Sequence, residues 1–296
     1  MEKLKGCPIC ESKESSTFLK CVDYTVSRET FTIQECGGCN FRFTSPRPSE
    51  NEISPYYKSE AYISHTDSGK GVINSIYKQI RKYTLAQKFR LIKGLSEGNS
   101  ILDYGSGAGV FLKYCKERNW RTKGVEADQE TRERVSNEWE LDVISPAEIG
   151  SLGKEQYDVI TLWHVLEHVH QLKKTIQSIE SSLKPNGVIL VAVPNCSSND
   201  AVHYGAHWAA YDVPRHIYHF RPSDISKLFE EFGIYVADIL PMVFDSYYVS
   251  LLSEKHKSGS IKFLSGMWRG LISNINAEPN KTYSSQIYVL RKNKAI

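Results

Sequence analysis

The sequence predicts an α/β protein built on a doubly wound, mostly parallel sheet, with a small zinc ribbon at the N-terminus. Apolar segments typical of buried strands alternate with helical segments over residues 101–194. A glycine-rich turn joins a strand to a helix at residues 103–109, and two Cys-x-x-Cys pairs lie in the first 40 residues. The length of 296 residues, 41% of them hydrophobic, allows one large domain with a full core and a small module.

Composition narrows the classes of protein to be considered. The 37 basic and 34 acidic residues nearly cancel, which argues against a nucleic-acid partner. No stretch approaches 18 apolar residues, and the N-terminus lacks the apolar segment of a signal peptide, so we expect neither a membrane span nor secretion. A cytoplasmic, reducing location follows as the expectation, and there the seven cysteines would bind metal or remain thiols. The sequence carries no signal for an oligomeric state.

Residues 1–48 are expected to form the zinc ribbon. Two tight pairs supply four thiolates, enough for a closed tetrahedral and therefore structural zinc site. A thioredoxin-like redox motif would instead be a single pair at a helix start, which disfavours that alternative. Prolines at 46 and 48 mark the end of the ribbon. The predicted ligands are Cys7, Cys10, Cys36 and Cys39, while Cys21, Cys115 and Cys196 are expected to be buried thiols.

Residues 49–95 are expected to form a helical bridge. Apolar side chains recur at helical spacing between residues 72 and 92, and lysines and arginines fill other positions. This pattern predicts one or two packed helices with a solvated basic face. A nucleic-acid surface is the alternative interpretation of the same basic residues.

Residues 96–296 are expected to hold the main domain, which begins with a nucleoside-binding pattern. A strand ends at Asp103, and Gly105, Gly107 and Gly109 follow before a helix opens. Glycines allow a ligand close to the backbone, and a helix start presents unpaired N–H groups. The next strand ends at Glu126, about 20 residues on, where a carboxylate would accept hydrogen bonds from a ribose. A tight turn with a surface glutamate is the alternative.

Further strands and helices extend this pattern. We expect a helix over 129–139, strands near 141–144, 157–163 and 188–194, and a closing strand over 284–291. A helix ending near residue 183 would be stopped by the Lys-Pro-Asn-Gly segment at 184–187. In such a sheet the site lies at the carboxyl ends of the strands, which here carry Trp163-His164 and Pro194-Asn195.

The Asp-x-Gly-x-Gly-x-Gly turn followed by a strand-end glutamate resembles motif I of class I S-adenosylmethionine-dependent methyltransferases. The resemblance implies a seven-stranded Rossmann-like sheet whose last strand is antiparallel, and it implies S-adenosylmethionine as cofactor. The residues it assigns to cofactor binding are Asp103, Tyr104, Gly105, Ser106, Gly107, Glu126, Ala127, Trp163 and His164.

The segment His164-Val165-Leu166-Glu167-His168 has two interpretations. It matches a zinc-protease pattern, but that pattern belongs inside a long helix rather than directly after a buried strand. It also resembles the fourth-strand region of methyltransferases of the type 23 and type 12 groups, similar to the quinone-biosynthesis O-methyltransferases. In the latter a comparable Glu-x-x-Glu-His segment binds a divalent metal. His164 replaces the first of those glutamates, which argues against a second metal site.

Residues 195–222 form a long stretch that we expect to be a substrate loop. Residues 208–220 resemble a Trp…Asp-x-Pro-Arg-His-x-x-His-Phe segment of bacterial methyltransferases fused to zinc ribbons, often from surface-glycan or secondary-metabolite pathways. This implies methylation of a hydroxyl, or a carbon, on a small or carrier-linked acceptor, with a nucleotide sugar as one candidate. The candidate general bases are His168 and His216. Arg215 and Arg221 would hold an anionic substrate or form salt bridges.

Two other functions remain as alternatives. An RNA methyltransferase would use the ribbon to grip its substrate, although no Asp/Asn-Pro-Pro-aromatic segment for exocyclic amines follows the fourth predicted strand. A non-catalytic zinc-ribbon adaptor would not need the intact acidic and glycine positions of the nucleoside site.

Overall fold

The computed structural model describes residues 1–57 and 72–293, with the side chains of 72–81 and of residue 280 outside that description. The predicted bridge therefore falls partly outside the described residues, at 58–71. The strands are β1 (Ser15–Val22), β2 (Thr30–Cys36), β3 (Arg42–Thr44), β4 (Ser100–Tyr104), β5 (Arg121–Val125), β6 (Val143–Ile144), β7 (Tyr157–Trp163), β8 (Leu183–Pro194), β9 (Tyr218–His219), β10 (Ile234–Pro241) and β11 (Ser285–Lys292).

The α-helices of the described residues alternate with these strands. They are α1 (Val72–Leu95), α2 (Val110–Lys116), α3 (Gln129–Trp139), α4 (Leu172–Ser182), α5 (Asn199–Tyr204), α6 (Pro222–Glu230), α7 (Val243–Ser258) and α8 (Phe263–Ala277). Short 3-10 turns add to them, including Leu166–His168 and Ala209–Tyr211.

Within the described residues, seven strands form the main sheet in the order β10-β11-β8-β7-β4-β5-β6. Strands β4 to β8 run parallel, and β11 lies antiparallel between β8 and β10. Every residue of β4 is buried, as a parallel strand covered on both faces requires. The predicted doubly wound sheet with an antiparallel last strand is confirmed.

The stop signal at residues 184–187 does not lie between a helix and a strand. Helix α4 ends at Ser182, and β8 begins at once with Leu183, which pairs with Tyr157. A register shift between Tyr157 and Val159 accommodates the Lys-Pro-Asn-Gly segment within the strand. The prediction of a strand starting near 188 was therefore wrong by five residues, because pairing with β7 outweighs the local turn preference.

A smaller sheet joins the N-terminal module to the predicted substrate loop. Its strand order among the described residues is β1-β2-β3-β9, and Arg42 and Phe43 pair with His219 and Tyr218. The segment predicted as a loop thus contributes a strand, and it also contains α5 and 3-10 turns. The core is shared as well, because Phe41 and Phe43 belong to the same buried cluster as Leu102 and Tyr104 of the main sheet.

Helices α7 and α8 form a hairpin inserted between β10 and β11. The buried positions of α8 are small: Gly266, Gly270, Ser273 and Ala277. Small residues let the two helix backbones approach closely, and a methyl group at Gly270 would lie 2.8 Å from Cα of Tyr247. No helix in the described part of the chain is long and apolar enough to cross a membrane.

This packing predicts opposite effects for two glycine-to-alanine changes. Gly270→Ala should lower the free energy of unfolding by about 1–3 kcal/mol, because the added methyl group meets the α7 backbone. Gly94→Ala, in α1, should raise it by up to about 1 kcal/mol, since no described atom lies within 4 Å of the new methyl group and alanine favours helix. Urea unfolding of both variants measures the difference, and a stabilising Gly270→Ala would contradict the close helix contact.

Candidate functional site

The glycine turn after β4 adopts a backbone that side chains disfavour. Gly105, Gly107 and Gly109 all have positive φ, at 76°, 51° and 68°. A Cβ at Gly105 would lie only 2.3 Å from Val165, which follows β7. At Gly107 no described atom lies within 4 Å of such a Cβ. The turn is therefore packed tightly against the end of β7 on one side and open on the other.

Glu126 lies beside the open side of this turn. The Gly107 N–H donates to Glu126 Oε2 at 2.8 Å, and the Asp128 N–H donates to Oε1 at 2.9 Å. The side chain is half-buried, and the following residue, Ala127, is exposed. The glycine turn and the carboxylate at the end of β5 are therefore in direct contact.

Asp103 is buried beneath the turn. The Thr161 hydroxyl of β7 donates to its Oδ1 at 2.6 Å. Burial raises the pKa of Asp103 to about 6, although the Thr161 hydrogen bond and the positive charge of Lys88 act in the opposite direction. The Lys88 amine, on α1, lies 4.2 Å from the centre of the Trp163 ring. Nothing in the sequence around Lys88 indicates that it belongs to this site.

Several buried polar atoms at this edge make no hydrogen bond. Among the described residues they are Ser106 Oγ, Trp163 Nε1 and both carboxylate oxygens of Glu167, although Oε1 of Glu167 lies within ion-pairing distance of His164. Buried polar atoms are normally satisfied, so such atoms point to a bound group. The carboxyl ends of β4 and β7 are therefore the place where a polar ligand fits.

His164 connects β7 to the helical hairpin. Its φ of 56° lies in the left-handed region, which is uncommon for a residue other than glycine. Its Nε2 lies 3.1 Å from Asp245 Oδ2 of α7, and its Nδ1 lies 3.5 Å from Glu167 Oε1. Burial alone would lower the pKa of His164, but Asp245 and Glu167 outweigh it and raise the pKa to about 10. His164 is therefore an imidazolium at neutral pH.

His168 and His216 lie together, with ring centres 4.7 Å apart. The Nδ1 of His168 donates to the carbonyl of Arg215 at 2.9 Å, and that of His216 donates to the carbonyl of Ala210 at 2.8 Å. A carbonyl can only accept, so Nδ1 carries a hydrogen in both rings. Burial and the neighbouring His216 lower the pKa of His168 to about 4.

Glu167 completes this histidine pair. Its Oε1 lies 4.0 Å from Nε2 of His216, and the ligand atoms of Glu167, His168 and His216 all lie within 4.8 Å of one another. Two imidazole nitrogens and a carboxylate could hold one divalent cation. The histidine at position 164, where the quinone-biosynthesis enzymes have a glutamate, argued against a metal here. His216, from a different part of the chain, would supply the third ligand in its place.

The two arginines of the predicted substrate loop are engaged within the protein. Arg215 is buried and donates to Asp212, to Asp23 of the N-terminal module and to the carbonyl of Tyr56. Arg221 pairs with Asp224. Of the two alternatives expected for these arginines, an anionic substrate or a salt bridge, the structure shows salt bridges, and that of Arg215 is buried within the protein.

The four cysteines of the N-terminal module converge. Sγ of Cys7 lies 3.6 Å from Sγ of Cys39, and Sγ of Cys10 lies 3.5 Å from Sγ of Cys36. Sulfurs held about 2.3 Å from one zinc ion at tetrahedral angles would lie about 3.8 Å apart, so the arrangement fits zinc. Cys21, Cys115 and Cys196 are buried thiols, as expected.

Comparison with known proteins gives a consistent result. A family model described as a methyltransferase domain matches residues 77–239. The ubiquinone biosynthesis O-methyltransferase of Rickettsia typhi is 21% identical over 209 residues, which are 67% of this chain and 84% of the relative. That of Stutzerimonas stutzeri is 22% identical, over 50% of this chain and 69% of the relative.

Among solved structures, the phosphoethanolamine N-methyltransferase 2 of Haemonchus contortus, in complex with S-adenosyl-L-methionine, superposes with a TM-score of 0.53. It is 14% identical, and the match covers 85% of this chain and 61% of that one. At this identity the similarity concerns the fold.

Proposed function

Because this chain belongs to the methyltransferase domain family and is an S-adenosylmethionine-dependent methyltransferase, we propose that it methylates a hydroxyl group of a small or carrier-linked acceptor. The observation that carries the proposal is the proximity of His216 Nε2 to the buried carboxylate of Glu167, at the same sheet edge as the glycine turn. The names of the curated relatives, which are O-methyltransferases, support an oxygen acceptor.

We assign cofactor binding to the turn after β4 and to the ends of β5 and β7. Glu126, held beside Gly107, would accept hydrogen bonds from the ribose hydroxyls. The open side of Gly107 and the unpaired Ser106 Oγ and Trp163 Nε1 leave room and hydrogen-bonding capacity for the cofactor. When bound, S-adenosylmethionine supplies an electrophilic methyl group on a sulfonium sulfur. The remaining assigned residues are Asp103, Tyr104, Gly105, Ala127 and His164.

We assign the general base to His216. His164 already carries a proton at neutral pH, and the low pKa of His168 makes it a weak proton acceptor. His216 presents Nε2, and Glu167 would stabilise the imidazolium that forms when the acceptor hydroxyl loses its proton. His168, pinned to the backbone by Nδ1, would position His216 and the acceptor.

The acceptor class rests on the 208–220 segment, which resembles that of a bacterial methyltransferase group whose members often belong to surface-glycan or secondary-metabolite pathways. A sugar or a secondary-metabolite precursor is therefore the acceptor to screen first. The RNA alternative is disfavoured because strand β3 of the N-terminal module pairs with β9. The ribbon therefore packs against the rest of the protein. We assign Cys7, Cys10, Cys36 and Cys39 to a structural zinc ion.

The cofactor assignment predicts a selective loss of binding in one glutamate variant. Glu126→Ala should weaken S-adenosylmethionine and S-adenosylhomocysteine binding by roughly 10- to 100-fold, because hydrogen bonds to a charged group are lost. Glu130→Ala, on the exposed first turn of α3, should bind as the parent does. Isothermal titration calorimetry measures both. Unchanged binding in Glu126→Ala would overturn the assigned cofactor position.

The base assignment predicts a loss of turnover without a loss of cofactor binding. His216→Ala should lower kcat by about 100-fold or more, while the Kd for S-adenosylhomocysteine stays unchanged. Raising the pH should partly restore the variant's rate, because the acceptor hydroxyl then ionises without help. Parent activity that requires added Zn²⁺ or Mg²⁺ and is abolished by EDTA would contradict the base role and assign Glu167, His168 and His216 to a metal.

The zinc assignment predicts one zinc ion per chain. The double variant Cys36→Ser, Cys39→Ser should lose the metal, and its Tm should fall by more than about 5 °C, because metal binding contributes folding free energy. Cys21→Ala, outside the cluster, should keep the zinc. Atomic emission spectroscopy and thermal unfolding test this, and a metal-free parent protein of unchanged stability would refute it.

A further inference from the structure

Helix α8 exposes its large apolar side chains and buries its small ones. Leu264, Trp268 and Ile275 follow one another on one stripe of the helix, with 84%, 62% and 60% of their surface exposed. The opposite stripe, formed by glycine, serine and alanine, packs on α7. This is the reverse of a helix that covers a protein core.

The same region carries an excess of basic charge. Residues 255–277, between Glu254 and Glu278, contain Lys255, Lys257, Lys262 and Arg269 and no aspartate or glutamate, and Glu254 is buried and accepts from Tyr204 and Ser265. Within the described chain none of these four cations forms an ion pair. The whole chain is nearly neutral, so this concentration of positive charge next to exposed apolar side chains is local.

We propose that the hairpin of α7 and α8 binds the surface of an anionic lipid bilayer. Phe263, Leu264, Trp268 and Ile275 would enter the interface between head groups and acyl chains, and the basic residues would contact the lipid phosphates. Tryptophan favours this interface because its ring is amphipathic.

The degree of exposure favours a bilayer over a protein partner. Side chains with 60–84% of their surface exposed project from the protein rather than line a groove. A deformable lipid interface accepts projecting side chains, whereas a protein partner must offer complementary pockets.

The hairpin that forms this surface also contacts the candidate site. Its helix α7 contains Asp245, whose carboxylate lies 3.1 Å from Nε2 of His164. A protein held to a bilayer by α8 would therefore keep one wall of the site near the lipid surface. The binding itself does not depend on the proposed function.

Vesicle cosedimentation of the full chain tests the proposal. The protein should bind vesicles of phosphatidylglycerol mixed with phosphatidylcholine, and bind those of phosphatidylcholine alone more weakly. The double variant Leu264→Ser, Trp268→Ser should lose at least about tenfold in affinity for these vesicles, because two apolar side chains are no longer transferred from water to the lipid interface. Lys257→Glu combined with Lys262→Glu should reduce binding to the anionic vesicles and its sensitivity to salt.

Matched controls distinguish vesicle binding by this surface from non-specific hydrophobic adsorption and from effects on the cofactor site. Tyr235→Ser removes a side chain with 45% of its surface exposed near the start of β10, at the end of that strand away from the hairpin, and should bind vesicles as the parent does. All variants should retain the parent affinity for S-adenosylhomocysteine. No vesicle binding by the parent, equal binding by the Leu264 and Trp268 variant, or a dimer that this variant dissociates would overturn the proposal.

Discussion

A buried arginine ties the N-terminal module to the candidate catalytic edge. The Arg215 guanidinium binds Asp23, which lies in the N-terminal module, and Asp212, which lies three residues before it. Its backbone carbonyl accepts from His168, and the next residue is His216. Removing one partner of such a buried pair leaves an uncompensated charge, which typically costs about 3–5 kcal/mol. The positions of both histidines therefore depend on an ion pair that no substrate needs to touch.

Strand β3 supplies the second connection between the N-terminal module and the site. Thr44 donates its N–H to the carbonyl of Ile217 at 3.0 Å and its hydroxyl to the carbonyl of His216 at 3.1 Å. The cysteine knuckle that ends at Cys39 leads directly into this strand. A metal in the ribbon would thus influence the reaction through the backbone around His216, at a distance from the chemistry.

The sequence was sufficient for the main sheet and for the positions of the glycine turn and Glu126 at its edge, because both are encoded in local patterns. Continuous apolar strands, the Asp103 turn and the strand-end Glu126 each lie within a few residues of the structure they specify. The rest depends on partners distant in the chain. Strand β9 is too short for periodicity to reveal, and it forms only by pairing with β3. Asp245 and His164 are about 80 residues apart in the sequence, so no local pattern predicts their contact. The burial of Arg215 had one local signal, the aspartate three residues earlier.

The contact between Gly105 and Val165 has a consequence for how such a protein diversifies. The glycine turn after β4 and the segment that leads to His168 pack against each other with no room for a methyl group between them. In the proposed function, the distance from the bound cofactor to Glu167 and His168 is therefore set by rigid packing at this point. Helix α8, and the residues of 195–222 that do not hold His216, lie outside this contact and can vary in sequence without altering it. New acceptors would then be acquired by changes in these surrounding residues, while that distance is inherited unchanged.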